Sequence, residues 1–489
     1  MTKLQVLSLA SLEMSTVVPD SLKNLSSSLT SLSLSDCLLQ GNFPINIFHL
    51  PIEYLDVSET SFSELADSIG NLKLLGRLML GYSQFVGPVP ASLGNLTQLT
   101  LLHLMHNNFS SHIPSSLSNL VQLTCLDLSG NSFVGEIPDI VNLTQVSFFD
   151  LSNNQLAGPV PSHERANPQS LVNCTKLEVL DIGNNKINDV FPYWLGNLPE
   201  LRVLVLRSNK LRGSVRVFEP EESFHKLRIL DLSINNFSGY LPARFFEKLN
   251  AMRNVGADEG KLRYLGEEYY QDSVVVTLKG TEIELQKILT VFTTIDFSSN
   301  GFDGEISQVI GKLHSLRLLN LTHNHFIGKI PSSLGNLAKL ESLDLSSNNL
   351  AGKIPKQLAS LTSLSVLNIS HNRLDGPIPQ GPQFNTIQED SYIGNLGLCG
   401  FSLTKKYGND EAPTTFHEEE EEEEAESSSS WFDWKFAKIG YGSGLVIGMS
   451  IGYMVFASGE PLWFMKMVVT WQSKKVRTRG IRRGRVRRN

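Results

Sequence analysis

The chain has 489 residues, a formal net charge of −7 and four cysteines. That length exceeds one ordinary globular core, and four cysteines are too few for a disulfide framework. No metal-ligand cluster, phosphate-cradling loop, nucleophile elbow or convergent acid–base set occurs, which argues against an enzyme and implies no cofactor and no nucleic acid.

From its first residues the chain repeats one pattern. It opens MTKLQVLSLASLEMS, where Leu4, Leu7 and Leu9 fit L-x-x-L-x-L. The clearest copy is Leu340 to Leu361, in which Leu340, Leu343 and Leu345 are followed by Asn348, Leu350, Gly352, Ile354 and Pro355. Starts recur at Leu4, Leu29, Ile52, Leu75, Leu99, Leu123, Val146, Leu177, Leu201 and Leu227, a spacing of about 24 residues that matches the leucine-rich repeat. Two leucines alternating about one outward residue read as a short strand. The Asn, turned inward at a bend, can satisfy backbone groups in the core. One unit cannot bury its own leucines, so units stack. The expected fold is an α/β repeat solenoid, a leucine-rich-repeat horseshoe or superhelix with a concave parallel β-sheet.

Leu12, Cys37, Thr60 and Ser83 occupy the Asn position in the first four units; Asn107, Asn131, Asn154, Asn185, Asn209 and Asn235 follow regularly. No signal-peptide pattern precedes Leu4. A solenoid that opens inside a repeat exposes an apolar end, so the natural N-terminus is expected to lie outside this sequence, with a short gene product as the alternative.

Residues 1–242 thus carry about ten repeats. Residues 243–291 break the pattern with a charged, aromatic insertion containing an alternating run, Ser273 to Leu278, that reads as a strand. Tyr264, Tyr269 and Tyr270 mark it as a contact element or a structural spacer. Four repeats resume over 292–382, at Phe292, Leu316, Leu340 and Leu364, with Ser307 in place of one Pro. An acidic spacer at 411–438 contains the unbroken run Glu418 to Glu424.

Residues 439–457 are uncharged and as a helix would span about 28 Å, which predicts a single transmembrane helix. Gly440, Gly444, Gly448 and Gly452 give it a smooth packing stripe. Ten Lys and Arg in the tail (458–489) place the C-terminus in the cytoplasm and the repeats outside.

Outward strand positions nominate a ligand face of Arg77, Met79, Tyr82, His103, Met105, His106, Phe148 and Arg207, long or aromatic side chains on an otherwise Ser/Asp surface. Asp127, Asp150, Asp181 and Asp231 sit there too but recur with the repeat. His103 and His106 lack a third metal ligand. Cys37 and Cys174 read as buried, whereas Cys125 faces outward. Eight N-x-S/T sequons (Asn24, Asn95, Asn108, Asn142, Asn173, Asn236, Asn320 and Asn368) suit an ectodomain folded in the secretory pathway. Glycans on Asn320 and Asn368 would obstruct part of the concave face and favour ligand contact at earlier repeats and the insertion.

The chain resembles the plant leucine-rich-repeat receptor-like proteins, which lack a kinase domain. The resemblance rests on endings such as Leu350-Ala351-Gly352-Lys353-Ile354-Pro355, on the island with four repeats after it, and on Gln383-Phe384-Asn385-Thr386 followed by Gly394-Asn395-Leu396-Gly397-Leu398-Cys399-Gly400. It implies a C-terminal cap at 383–410, in which Tyr407 stands where a partner cysteine for Cys399 is expected. It further implies a plasma-membrane receptor for a peptide, protein or glycan. An adaptor receptor kinase would be held through the membrane helix, and a co-receptor kinase would join at the last repeats, most naturally in defence. A truncated decoy or pseudogene product, a developmental receptor and a wall-enzyme inhibitor are the alternatives.

Overall fold

The computed structural model describes residues 4–11, 27–37, 39–138, 140–161, 171–215, 224–253 and 291–400, with four short strands between 266 and 285. Fourteen strands, from Val6–Ser8 to Val366–Asn368, form one parallel sheet in chain order. Each begins two residues after the first apolar residue of its L-x-x-L-x-L, so the sequence period maps directly onto the strands. In the last three, Leu319, Leu343 and Leu367 align across the ladder and are buried. Leu340 and Leu345 flank Leu343 on the same inward side, and their stacking with the units before and after makes one continuous core.

The inward asparagines join the repeats. Asn348 Nδ2 donates to the carbonyls of Leu321, Leu345 and Ser346 (2.9, 3.2 and 3.1 Å), while its Oδ1 accepts the Phe326 N–H at 3.0 Å. The same set recurs at Asn107, Asn209 and Asn372. Two residues past this position in the third to sixth units runs a phenylalanine spine, Phe62–Phe85–Phe109–Phe133, with centroids 5.8–6.4 Å apart. In the early units the substitutes do less. Cys37 Sγ donates to the Leu9 carbonyl, and Thr60 and Ser83 share the Val57 carbonyl. Backbone amides in the units of Cys37, Thr60 and Ser83 should therefore exchange with solvent faster than those around Asn107 to Asn235, as hydrogen-exchange mass spectrometry would read; uniform protection would contradict this.

Two devices turn the chain at the ends of the strand. The residue before the Asn position is left-handed in every unit, for example Tyr82 (before Ser83), His106 and Ser347 at φ 54°, 51° and 51°. The preceding Asp holds that turn, as Asp344 Oδ1 accepts the Ser346 N–H at 3.0 Å. The return path is made of 3-10 turns such as Ala91–Asn95 and Lys356–Ser360, entered from Pro90 and Pro355 in extended conformation. Ser307 replaces that Pro functionally as well as in sequence, its Oγ accepting the Val309 N–H at 3.3 Å. Gly70 lets successive turns close up, since a Cβ there would meet the Ser92 carbonyl oxygen at 2.6 Å.

Two short α-helices, Ala243–Lys248 and Asn250–Arg253, take the return-path place in the tenth repeat and bury Phe245, Phe246 and Met252. These residues were assigned above to the insertion. Further on, Val274–Leu278 pairs antiparallel with Thr281–Leu285 as a hairpin. The main sheet passes over the insertion, because Ile229–Asp231 pairs directly with Thr294–Asp296. Among the described residues no helix is long and apolar enough to cross a membrane. The proposed span at 439–457, with Gly440, Gly444, Gly448 and Gly452, lies outside them, as do Asn24, Tyr264, Tyr269 and Tyr407.

Candidate ligand-binding face

Side chains on either side of each central leucine all emerge on one face of the sheet. The nominated residues fall there in two groups. In the fourth and fifth strands, Arg77–Met79 aligns with Leu101–His103, so Met79 lies beside His103. The Tyr54 hydroxyl donates to Met79 Sδ at 3.5 Å, and Met105 lies across Gly81, where a Cβ would stand 2.8 Å from its sulfur. Tyr82 and His106 stack at 4.6 Å and 15°, with Tyr82 49% exposed. A cleft of about 610 Å³ opens beside this group between Glu53, Lys73, Gly76, Arg77 and Thr100.

His103 is buried, and its Nε2 is 3.2 Å from Cys125 Sγ. Burial lowers its pKa from the ordinary imidazole value against the opposing pull of Asp127 and Asp56. Among the described residues no cluster of three metal-ligating groups occurs.

The second group is different in kind. Phe148 joins Val179, Val203, Val205 and Ile229 in a buried apolar stripe along the seventh to tenth strands, with Phe292 against it. The sequence reading missed this stripe, although Val205 interrupts an acidic column and was a visible signal. That column runs Asp127, Asp150, Asp181, Val205, Asp231, Asp296, one residue per strand. The carboxylates cap their own turns, as Asp150 and Asp231 do for the N–H groups of Ser152 and Ser233. Burial pushes the Asp181 and Asp231 carboxyls up to about 7. Asp150 is also raised, by burial first and then by Asp181 and Asp127.

Arg207 answers that crowding. It is 3% exposed, and its guanidinium holds Asp181, Asp231 and Asp296 down against the effect of burial. Its stem crosses Gly183, where a Cβ would lie 3.0 Å from Arg207 Cγ and 3.1 Å from Asp181 Oδ1; the equivalent position elsewhere is usually Ser. The structure therefore gives Arg207 a charge-balancing role inside the face.

The last four strands meet the same crowding by alternation: Asp296, Asn320, Asp344, Asn368. Asn320 Nδ2 donates to Asp296 Oδ2 at 3.0 Å, and Asn368 Nδ2 donates to Asp344 Oδ2 at 3.2 Å.

A family model described as "Leucine-rich repeat region" matches residues 5–194, and one described as "Leucine rich repeat" matches 314–374. Receptor-like protein 34 of Arabidopsis thaliana is 52% identical over 300 residues, which cover 61% of this chain and 31% of that protein. The chain is a relative of the plant leucine-rich-repeat receptor-like proteins. Receptor-like protein 43 of the same organism is also 52% identical, over 61% of this chain and 42% of its own length. The chain thus matches about a third to two fifths of these receptor-like proteins. Among solved structures, the plant peptide hormone receptor RGFR1 in complex with RGF2 is similar, with a TM-score of 0.56 and 25% identity over 81% of this chain and 67% of that one. A TDR receptor aligns with a TM-score of 0.58 and 25% identity, covering 82% of this chain and 70% of that one.

Proposed function

We propose that the chain is a plant cell-surface receptor that binds an extracellular peptide, protein or glycan on its sheet face and signals, without catalysis of its own, through partner receptor kinases in defence. The observation that carries this reading is the exposed Tyr82–His106 stack beside Met105 and Arg77, an aromatic and polarizable patch set apart from the buried apolar stripe further along the face. In this reading the repeats lie outside the plasma membrane and 439–457 crosses it. The glycine stripe holds an adaptor leucine-rich-repeat receptor kinase, a co-receptor kinase joins at the last repeats, and the island tyrosines Tyr264, Tyr269 and Tyr270 contribute contacts. Perception of a developmental peptide is the second reading, favoured by the likeness to RGFR1, which was solved with its peptide.

The test uses the full chain, tagged at its C-terminus, in leaf cells that lack it, challenged with fractionated microbial extracts. An oxidative burst that requires the chain should fall at least about tenfold in a Tyr82→Ala/His106→Ala/Met105→Ala variant of equal surface abundance, the scale of removing two or more interface anchors. An unchanged burst would remove the patch from the mechanism; a response to a plant peptide fraction alone would favour the developmental reading.

A further inference from the structure

We infer that Asn320 and Asn368, although they sit in N-x-S/T sequons, are structural amides that carry no glycan in the folded protein, so the sheet face stays bare to its last strand. The two differ in kind from the other described sequons. Asn95 and Asn173 end exposed 3-10 turns, Asn142 is exposed at the equivalent place, and Asn108 and Asn236 start exposed strands at the side of the solenoid. The side-chain amides of those five make no hydrogen bond among the described residues.

Asn368 is the opposite case. Its Nδ2 donates both to Asp344 Oδ2 (3.2 Å) and to Ser346 Oγ (3.1 Å), and its Oδ1 accepts from the Ser370 backbone N–H (3.2 Å) and Oγ (2.8 Å). Attachment of a sugar replaces one of the two Nδ2 hydrogens, so a glycosylated Asn368 loses one of these bonds. Asn320 donates to Asp296 and accepts the Thr322 N–H at 3.2 Å. The third sequon residues are engaged as well: Thr322 Oγ1 donates to the Ser346 carbonyl at 3.0 Å, and Ser370 Oγ donates to Asn368. Both sequons follow from a ladder in which acid and amide alternate, with Asn320 between Asp296 and Asp344 and Asn368 beside Asp344. Glycans on the five exposed asparagines leave that face open, so the last repeats are as available to a ligand as the earlier ones, contrary to the sequence expectation.

The inference rests on the receptor reading only in taking the repeats to fold in the secretory pathway, and the experiment separates the two. The full chain, given a secretion signal and a C-terminal tag, is expressed in plant cells and its folded, secreted pool purified. Because entry is supplied, the result does not depend on how the natural chain reaches the lumen or on what it binds. Asn95→Gln and Asn142→Gln should each remove the mass of one glycan. Thr322→Val and Ser370→Ala, which destroy the sequons and keep the asparagines, should remove none. Loss of a glycan in either would overturn the inference, and so would a pool with no glycan at any site, because exposure would then not select the sites. Asn320→Asp, which sets three carboxylates side by side, should leave the mass unchanged and give a melting midpoint that falls more steeply than that of the parent chain as pH rises from 5 to 8. A residue that served only to carry sugar would add nothing to the parent's pH dependence.

Discussion

Replacing Arg207 by methionine should lower the stability of the central repeats by roughly 3–5 kcal/mol, the usual result of stripping one partner from a buried charge cluster. The loss should be larger near pH 8 than near pH 5. Asp181 and Asp231 have carboxyls raised to about 7 from an ordinary 3.8. Between those values the folded chain holds protons that the unfolded chain has released, so stability is greatest in acid and declines as pH rises through the window. Removing the guanidinium raises both carboxyls further and extends the decline above pH 7. Hydrogen exchange of the Val179–Asp181 and Ile229–Asp231 strands at the two pH values would measure this directly. Equal loss at both would mean that Arg207 contributes only the packing of its stem over Gly183.

The second large effect is expected at Asn348. Changing it to alanine leaves the buried Phe326 N–H without its acceptor at 3.0 Å and withdraws the donor from three carbonyls. At about 1–3 kcal/mol for each stranded buried group, a loss on the order of 4 kcal/mol is expected, confined to the units on either side because each repeat touches only its neighbours. Serine should cost less than alanine, since Ser83 at the same place in an early unit still donates to the Val57 carbonyl at 3.2 Å. Proteolysis or exchange that opened the whole solenoid at once would contradict this local picture.

All fourteen strand positions were legible in the sequence, because a three-residue strand with one inward leucine leaves no other register that buries the apolar set. The role of the Asn was legible for the same reason: a polar side chain at an inward position has few ways to be satisfied. The face was less legible. Arg207 reads in sequence as a lone cation among Ser and Asp, and its burial depends on Gly183 in the preceding unit, some two dozen residues away. Asn320 and Asn368 read as glycan acceptors because a sequon is a local pattern, whereas their bonds to Asp296 and Asp344 cross between strands. Column-by-column comparison of the repeats would have shown both, since each is a departure from its column.

The alternation in the last four strands also constrains how such a chain can change length. Asp296-Phe297-Ser298-Ser299-Asn300 and Asp344-Leu345-Ser346-Ser347-Asn348 share one pattern, while Asn320-Leu321-Thr322-His323-Asn324 and Asn368-Ile369-Ser370-His371-Asn372 share another. The chemical period of this block is accordingly a pair of repeats. Recombination that removed or inserted one unit would bring like beside like, acid against acid or amide against amide. Gain or loss of a pair would leave every junction as it was. An even change in repeat number preserves the alternation of acid and amide, and an odd one breaks it.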